Sequence, residues 1–440
     1  MLAETLMEKN EIGIGLLGLG TVGGGTARVL LGKKDWLARQ AGGPIVLRRV
    51  LERDRSRAGL CSVDPSLLTN NPADVLENPD VDVVVEVLGG EAFALDCIRK
   101  ALSFGKHVVT ANKEVLAKHG PSLLALAEEH GVELRFEASV GGGIPLIMPF
   151  QRDLVANDVL AIHSILNGTT NYILTRMAEE GMDFAVALKK AQEMGYAEAD
   201  PSYDIEGKDA AFKLSILSSL GFHLWVSPEN VHREGISSLE AKDFQYASDL
   251  GYAIKLLAIA KKSDGAVEAH VNPVMVPEKS LLAQVRGVFN AVQVEGDLVG
   301  SVILYGRGAG AQPTSSAVVS DIVGIARGLF IGAKPGRSID LDGHFRFKPM
   351  SEIETGYYIR VTVADEPGVL ALIARILGDN RISISQVIQK ETDMASQSAE
   401  IVIMTHVARE EAMQKALTGF KALRQVRKIN NFIRVESDLV

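Results

Sequence analysis

The feature that most constrains the fold is an apolar strand, a glycine motif and a helix that follow one another near the start of the chain. The run IGIGLLG leads directly into GLGTVG, and residues with helical spacing follow. In such a unit the first glycine permits a tight turn, the second lets the backbone approach a pyrophosphate, and the third allows close helix–strand packing. The helix N-terminus faces the anion. This order favours dinucleotide binding over an ordinary glycine-rich turn, with contacts from Gly18, Gly20, Thr21, Val22 and Gly23.

Strand-like and helix-like segments alternate over the first 150 residues. Apolar runs such as IVLRRVLE, VDVVVEVLG and KHVVTAN are separated by stretches with a helical period. This alternation is typical of βαβ units and a parallel sheet. We therefore predict an α/β, Rossmann-type domain over 1–150, and we expect residues 305–330 to pack back on it.

The pattern changes after this domain. Strand-like runs interrupted by a block of helices over 170–250 predict an α+β domain with a mixed sheet over 151–304, for substrate binding, catalysis and dimerisation. Residues 331–354 contain Pro and Gly with little periodicity, as in a linker. Residues 355–440 read strand, helix, strand, strand, helix, strand, which is a ferredoxin-like βαββαβ order. We expect this last module to be separable without exposing the core of the rest.

Composition excludes several classes of protein. A net charge of −9 and an aromatic content of 5% provide no basic surface for nucleic acid. No segment approaches the roughly 20 apolar residues that span a bilayer, and the acidic start lacks the features of a signal peptide. Two cysteines, Cys61 and Cys97, are too few for a disulfide framework or a Cys-rich metal site. We predict an acidic cytoplasmic protein.

The second predicted strand ends in VLERD, where such folds read the adenosine ribose. An acidic residue at this tip binds the 2′-OH of NAD, whereas an arginine accepts the 2′-phosphate of NADP. The sequence offers both, in Glu52 and Arg53. The choice between NAD and NADP therefore stays open, and Arg53 as an ordinary solvated charge is the alternative.

The motif VVTANKE places Thr110, Asn112 and Lys113 at the carboxyl end of another predicted strand. Open α/β sheets bind ligands at this edge. A lysine there can hold a carboxylate or a cofactor phosphate. The alternative is a solvent-exposed lysine at a helix start, but helix N-termini disfavour cations, which favours the functional interpretation.

The stretch EADPSYDIEGKDAAFK gathers carboxylates around a lysine that precedes an apolar run. A helix from about Ile205 would put Asp209 and Lys213 at i and i+4 on one face. An ordinary helical ion pair is the simpler interpretation. Because Glu198 and Asp204 lie on the approach, three carboxylates are expected beside one lysine, a cluster that can bind an ammonium group while the lysine donates a proton.

The motif SILNGTTNYI adds a loop between a predicted strand and a predicted helix. Backbone amides and hydroxyls of Gly168 and Thr169 would suit a carboxylate, although the threonines can simply cap the helix. An ammonium site together with a carboxylate site implies an amino acid substrate.

Two further glycine-rich segments qualify as ligand loops. In EASVGGGIP, Glu137 and exposed carbonyls are suited to a hard cation, with a plain turn as the alternative. In YGRGAGAQPTSS, Gly306, Gly308 and Gly310 precede a helix that starts with proline, which favours a second anion-facing loop.

These motifs resemble homoserine dehydrogenase, in its single-function form with a C-terminal ACT domain. GLGTVG, TANKE, EASVGGGIP, LNGTTN, GYAEADPSYDIEGKDAAFK and GRGAGAQPTSSAVVSD occur in that order over essentially the whole chain. The resemblance implies interconversion of aspartate β-semialdehyde and homoserine with NADP or NAD, and a homodimer or homotetramer. One departure is Glu52, since many members carry an apolar residue before the arginine at this strand tip.

The resemblance also assigns roles to individual residues. Lys213 would be the catalytic lysine and Lys113 a second active-site lysine. The remaining assignments are Glu198 and Asp209 as ammonium ligands with Asp204 adjacent, Gly195 and the Gly306 to Gly310 loop at the cofactor, and a Na or K site at Glu137, Val140, Gly142 and Ile144.

The C-terminal segment VADEPGVLALIARIL resembles the ligand loop of ACT domains, which implies feedback control by threonine as an effector. A module that only joins subunits is the alternative. Two other functions are alternatives for the whole chain. Aspartate-semialdehyde dehydrogenase needs a thiolate nucleophile, which neither cysteine is placed to supply, and a non-catalytic amino-acid sensor would not need Lys213 beside carboxylates.

Overall fold

The structure is a computed structural model that describes residues 9–336, 339, 341, 343–389, 392–393 and 397–439. Its contacts divide the chain into two compact units, each built from three segments. The first unit comprises Met1–Val159, Ser215–Pro228 and Glu295–His344, and the second comprises Leu160–Leu214, Glu229–Val294 and Phe345–Val440. Among the described residues no helix is long and apolar enough to cross a membrane.

The first unit begins with the predicted alternation of strands and helices. The strands are β1 (Ile12–Leu17), β2 (Ile45–Leu51), β3 (Leu68–Thr69), β4 (Val83–Glu86), β5 (His107–Thr110) and β6 (Leu134–Arg135). The helices are α1 (Thr21–Gly32), α2 (Lys34–Ala41), α3 (Arg57–Leu60), α4 (Ala73–Leu76), α5 (Ala92–Ser103) and α6 (Lys113–Glu129). The strands pair in parallel in the order β3-β2-β1-β4-β5-β6, which confirms the α/β fold.

The remaining elements follow in chain order. The strands are β7 (Val159–Ile165), β8 (His232–Arg233), β9 (Tyr252–Ser263), β10 (Ala266–Pro277), β11 (Phe289–Gly296), β12 (Gly300–Arg307), β13 (Arg346–Phe347), β14 (Glu354–Ala364), β15 (Ile384–Ile388), β16 (Thr392–Asp393), β17 (Ser398–Thr405), β18 (Ala408–Arg409) and β19 (Val426–Val435). The helices are α7 (Gly168–Glu180), α8 (Phe184–Glu193), α9 (Ser202–Ile205), α10 (Lys208–Phe222), α11 (Ala241–Asp249), α12 (Ala311–Phe330), α13 (Val369–Asp379) and α14 (Glu410–Ala422).

Helix α12 packs against the glycine-rich helix α1 of the first unit. The Ser315 hydroxyl donates to the Val22 carbonyl at 3.1 Å, and a Cβ on Gly25 would collide with the Ser315 side chain. Apolar side chains of α12, including Val318 and Ile322, share one buried cluster with the strands of the parallel sheet. Helix α12, which lies far along the chain, therefore completes the hydrophobic core of the parallel sheet formed by the first strands.

The second unit contains a mixed sheet in the order β11-β7-β9-β10-β19-β14-β17-β15. Strands β9 and β10 form an antiparallel hairpin, and β10 pairs in parallel with β19 through Val274 and Arg434. The elements β14, α13, β15, β17, α14 and β19 give the predicted ferredoxin-like order around their own apolar core. The α+β expectation and the ACT-type module are both confirmed.

The ACT-type module is bonded to the rest of the second unit by a buried ion cluster. The Arg360 side chain is 1% exposed and donates to Asp243 at 2.8 Å, to Glu400 at 2.8 Å and to Glu240 at 2.6 Å. Asp243, on α11, is 0% exposed and also accepts from Asn431. The separability of 355–440 stays a prediction, and removal of this module would also take away the buried partners of Asp243.

Replacing Arg360 with alanine tests this cluster. Removing one partner of a buried ion pair leaves uncompensated charge and typically costs about 3–5 kcal/mol. We expect Arg360→Ala to lower the free energy of unfolding in urea by that amount, and the exposed control Arg424→Ala to change it by less than about 0.5 kcal/mol. Equal stability of the two variants would contradict a structural role for the cluster.

Candidate active site

The glycine motif adopts the conformation that a pyrophosphate-binding loop needs. Gly18 has φ +99°, a conformation that L side chains rarely adopt, and a Cβ on Gly23 would collide with the Gly18 carbonyl. Gly20 is the N-cap of α1 and has an extended backbone. No side chain caps the first backbone amides of this helix. The loop thus has open amides at a helix N-terminus, which fits a dinucleotide phosphate. Thr21 and Val22 form the first turn of α1.

The two residues at the tip of β2 face different surroundings. The Glu52 carboxylate accepts the Leu19 amide at 2.9 Å and the Asp54 amide at 3.0 Å, so it braces the glycine loop. Arg53 is exposed. The contact between Glu52 and Leu19 joins residues 33 positions apart, so no local sequence pattern predicts it.

Arg57 is a candidate cofactor ligand that the sequence analysis missed. Its Nη1 lies 3.8 Å from the position that a Cβ on Gly20 would occupy, and 3.8 Å from the Glu52 carboxylate. Its Nε lies 3.6 Å from Asp54. The sequence RDRSR directly after the strand tip contains three arginines and could have indicated this site. It brings positive charge beside the glycine loop.

A buried carboxylate, that of Glu86, bonds to the last residue of β5. The fully buried Thr110 hydroxyl donates to Glu86 at 2.6 Å, and burial raises the pKa of Glu86. Asn112 caps α6 by accepting the Val115 amide, and Lys113 is the first residue of that helix. The Thr110 side chain is thus committed to Glu86. Glu86 was missed, although an acid that ends the apolar strand VVVE is an unusual signal.

Helix α10 begins later than predicted. The expected helix from about Ile205 is divided into the short α9 and the longer α10, which starts at Lys208. Gly207 has φ +77° and ends the first helix, because a left-handed residue cannot continue a right-handed one. Asp209 and Lys213 still stand at i and i+4, as the spacing predicts.

Lys213 lies at the centre of a buried polar cluster. It is 9% exposed, and its Nζ donates to Asp209 at 2.7 Å and to the Leu166 carbonyl at 2.8 Å. The Asn167 side-chain amide donates to Asp204 at 2.7 Å and to Asp209 at 2.9 Å. The Asp209 oxygen that it reaches, Oδ2, is the one that also accepts from Lys213. One lysine, one amide and two carboxylates are therefore brought together within the second unit.

Asp204 is destabilised as an anion in this cluster. Burial raises its pKa, and the negative charge of Asp209 raises it further. The hydrogen bond from Asn167 and the positive charge of Lys213 oppose the shift only in part. A cation bound beside the two carboxylates would remove this repulsion, which suits the site to an ammonium group.

The Asn167 loop both caps α7 and approaches the cluster. Asn167 Oδ1 accepts the Thr170 amide at 2.8 Å, so the cap of α7 is Asn167 and not one of the threonines. Gly168 has no room for a side chain, since a Cβ would lie 2.8 Å from the Val288 carbonyl. The Thr169 hydroxyl donates to the Tyr196 carbonyl at 2.7 Å.

Glu198 is more exposed than the other two carboxylates. Its backbone carbonyl accepts from Gln192 at 3.1 Å. Asn167 donates to both Asp204 and Asp209 and so holds these two together. Gly195, just beyond α8, is exposed with φ +72° and open space around it. The structure thus brings together two of the three carboxylates that the sequence predicts.

The two glycine-rich loops of the first unit touch each other. Gly142 has φ +56°, and a Cβ there would lie 2.5 Å from the Gly308 carbonyl oxygen. The Gly143 amide donates to the Arg307 carbonyl at 3.3 Å. A close approach of two backbones explains the glycines in both motifs, which stand more than 160 residues apart in the sequence.

Glu137 is used differently from the way the cation hypothesis assumes. Its carboxylate accepts three amides, from Leu146 at 2.6 Å, Ile147 at 2.9 Å and Met148 at 2.8 Å. The described residues contain no group of three or more His, Cys, Asp or Glu side chains that could hold a metal. A cation among Glu137, Val140, Gly142 and Ile144 would therefore depend mainly on backbone carbonyls, and the site stays a prediction.

Comparison with known protein families assigns each part of the chain. Residues 18–137 match the homoserine dehydrogenase NAD-binding domain, residues 145–323 match homoserine dehydrogenase, and residues 357–425 match the ACT domain. The matched ranges agree with the resemblance drawn from the motifs and make the chain an oxidoreductase with a nicotinamide dinucleotide cofactor.

Individual relatives agree over nearly the whole length. The homoserine dehydrogenase of Neisseria gonorrhoeae is 43% identical over 97% of this chain and 99% of its own length, and that of Bacillus subtilis is 38% identical over 97% and 99%. The structure of the Thiobacillus denitrificans homoserine dehydrogenase superposes with a TM-score of 0.91 at 42% identity, covering 97% of this chain and 98% of that one. A hyperthermophilic archaeal homoserine dehydrogenase in complex with NADPH gives 0.61 at 28% identity, covering 71% and 97%. The chain therefore belongs to the homoserine dehydrogenase family.

Proposed function

We propose that the protein catalyses reversible hydride transfer between L-homoserine and L-aspartate 4-semialdehyde, in the biosynthesis of threonine, methionine and isoleucine. The observation that carries the proposal is the buried amine of Lys213, held by Asp209 and the Leu166 carbonyl beside a second carboxylate. A non-catalytic amino-acid sensor is the alternative, and it has no need of a buried proton donor in its binding site. The family membership of the chain supports the enzyme.

Lys213 acts in this proposal as the proton donor for the aldehyde oxygen. When bound, the nicotinamide supplies the hydride to the carbonyl carbon in one direction and accepts it in the other. As negative charge develops on the carbonyl oxygen, the Lys213 ammonium gives it a proton, and in homoserine oxidation the neutral amine takes that proton back. Asp209 fixes the position of the Nζ atom throughout.

The substrate is held at its two charged ends. Asp204 and Asp209 bind the ammonium group, since their mutual repulsion disfavours the empty site. The amides of Gly168 and Thr169 bind the carboxylate, because the Thr170 amide is already used by Asn167. Glu198 and Lys113 are retained as further ligands on the strength of the family resemblance.

We propose NADP as the preferred cofactor, with NAD as a weaker substitute. Glu52 is occupied by two backbone amides, whereas Arg53 is exposed and Arg57 lies beside Gly20. An arginine at this position offers charge-assisted bonds to a 2′-phosphate. The archaeal relative named above was solved with NADPH.

We further propose a cytoplasmic homodimer or homotetramer with a Na or K ion at the Glu137 turn. The glycines that bring this turn against the Gly308 loop support a tight carbonyl-lined position for such an ion. Feedback inhibition by threonine through the ACT domain completes the proposal, with the effector carboxylate at the N-terminus of α13, beside Asp365 and Gly368.

Substitution of Lys213 tests the catalytic assignment. We expect Lys213→Met to lower kcat for homoserine oxidation, followed at 340 nm, by about 10² to 10⁴ while NADP affinity is kept, because only the group that takes the hydroxyl proton is lost. Lys208→Met is the matched control, since Lys208 lies on the same helix in an exposed pair with Glu206. A kcat for Lys213→Met equal to that of the control would leave Lys213 a structural residue.

We expect Asp204→Asn to raise the stability of the protein at pH 7 and to weaken its affinity for homoserine. The folded pKa of Asp204 is raised, so its ionisation costs stability as the pH rises from about 3.8 through the folded pKa. We expect the variant to be more stable than wild type at pH 7 and equal to it below pH 3.8. Its KM for homoserine should rise about 10- to 150-fold, through loss of a charge-assisted bond of about 1.5–3 kcal/mol.

Asp200→Asn is the control of opposite sign. Hydrogen bonds from Ser202 lower the pKa of the exposed Asp200, so its ionised form favours the folded state above the unfolded pKa. This variant should lose a little stability at pH 7 and keep its KM. Urea unfolding across the pH range and steady-state kinetics measure both effects, and an Asp204→Asn enzyme with unchanged KM would remove Asp204 from the ammonium site.

The cofactor proposal separates Arg53 from Glu52. Arg53→Ala should raise KM for NADP about 10- to 150-fold and leave KM for NAD nearly unchanged, because only NADP carries the phosphate. Glu52→Ala should impair both cofactors, because it removes the bond to the Leu19 amide that braces the loop. Equal losses with NADP and NAD in Arg53→Ala would show that Arg53 does not read the ribose.

Threonine regulation is tested at Gly368. Gly368 has φ +95°, and a Cβ there would meet no atom within 4 Å, so Gly368→Ala introduces backbone strain alone. Gly368→Asp adds a carboxylate where the effector carboxylate is proposed to bind. We expect threonine inhibition to survive in Gly368→Ala and to weaken at least tenfold in Gly368→Asp, with oligomer size unchanged. Full inhibition of Gly368→Asp would place the effector elsewhere.

A further inference from the structure

A cavity of about 520 Å³ lies in the second unit, away from the polar cluster around Lys213. It is bounded by α7, α11, the start of β9 and the segment between β10 and β11. Its polar lining includes Thr175, Glu179, Ser248, Lys255, Glu278 and Arg286. Neither Lys213 nor Asp204 nor Asp209 lines it, so the cavity is not part of the proposed substrate site.

Lys255 places a poorly compensated positive charge against this cavity. The residue is 5% exposed, and its Nζ donates to one acceptor, the Val285 carbonyl at 2.5 Å. Among the residues that the structure describes, no ion pair joins Lys255 to a carboxylate. An ammonium group has three donors, so two N–H directions remain for another partner.

The Val285 carbonyl cannot satisfy Lys255 by itself. That oxygen also accepts from the Asn171 amide at 3.3 Å, so the neutral acceptor is shared between two donors. Burial lowers the pKa of Lys255 to about 8; the positive charge of Arg286 lowers it further, and the negative charge of Glu179 offsets this only in part. A buried cation in this state is stabilised by an anion that enters the cavity.

The rim of the cavity carries groups of both signs. Arg286 Nη1 lies 3.3 Å from Glu179, and the Glu278 carboxylate accepts from Ser248 at 3.3 Å. Glu278 is exposed. A molecule with a carboxylate at the Lys255 end therefore meets polar partners at the mouth as well, including a carboxylate that can accept from an ammonium group.

We propose that this cavity is a second small-molecule site, which binds a compact carboxylate through Lys255. The carboxylate accepts the two N–H donors of Lys255 that do not face Val285. Where the ligand is an amino acid, its ammonium group bonds to Glu278. The volume lies within the range of small-ligand pockets, roughly 300–1,000 Å³. The simpler role for Lys255, tying the Val285 segment to β9, involves no ligand.

The test uses the full chain without cofactor or homoserine, so its outcome does not depend on the proposed function. The protein is labelled with [ε-¹³C]lysine, and the Lys255 resonance is assigned by its absence in Lys255→Met. Acetate, glycine and ethylammonium are titrated separately. We expect a saturable shift of the Lys255 signal with acetate at millimolar concentrations, no shift with ethylammonium, and the same acetate response in Lys213→Met.

The comparison of glycine with acetate identifies the class of carboxylate. Tighter binding of glycine supports an amino acid with its ammonium at Glu278, and Glu278→Gln should remove that advantage. Equal or weaker binding of glycine supports a simple carboxylic acid. A Lys255 signal that does not respond to acetate or glycine overturns the proposal and leaves Lys255 a structural residue.

A second measurement needs no variant. Cyanate carbamoylates neutral amines. Because the pKa of Lys255 is lowered, a larger fraction of its amine is neutral near pH 7 than in ordinary lysines. Mass spectrometry of digested protein locates the modified residue. We expect acetate to slow carbamoylation of Lys255 at least fivefold without slowing that of the exposed Lys189. Equal rates with and without acetate would contradict a carboxylate site.

Discussion

The candidate active site depends on the hydrogen bonds that hold one buried lysine side chain in place. An unpaired ammonium in a protein interior costs several kcal/mol, and Lys213 avoids that cost through Asp209 and the Leu166 carbonyl. These two partners come from α10 and from the strand end before α7. The same charge therefore fixes the relation of α10 to the loop at Asn167, and Asn167 in turn fixes Asp204.

The remaining electrostatics of the site follow from this arrangement. Two carboxylates share one lysine and one amide, so one of them, Asp204, is left under-compensated and its pKa is raised. In the proposed function, a substrate ammonium group supplies the missing positive charge. Occupation would then stabilise the site, which is the usual relation between stability and function where charges are gathered for binding.

Local patterns predicted much of the fold and the centre of the site. The glycine motif, the alternation of strands and helices and the βαββαβ order of the C-terminal module all depend on spacing within short segments. The pairing of Asp209 with Lys213 was predictable for the same reason, because four residues on a helix bring two side chains together. The start of α10 was misplaced because the left-handed turn at Gly207 was not recognised.

Long-range contacts account for the rest. The bond from Glu52 to the Leu19 amide, the burial of Glu86 beside Thr110 and the proximity of Arg57 to Gly20 join segments that no local pattern connects. Local patterns also miss the bond between Arg360 and Asp243 on α11, which spans more than 100 residues of sequence. Chain spacing alone does not encode which distant charge will satisfy a buried one.

Chemical rescue of Lys213→Ala tests the central claim most directly, namely that an amine at this position exchanges the proton with the substrate oxygen. Truncation leaves a space that small amines can enter, and tetramethylammonium provides a control with positive charge but no N–H. The account predicts that ethylammonium restores homoserine-dependent turnover at least tenfold over the unrescued variant, with saturation, whereas tetramethylammonium does not. Failure of every primary amine to accelerate the folded variant, or equal rescue by tetramethylammonium, would contradict it.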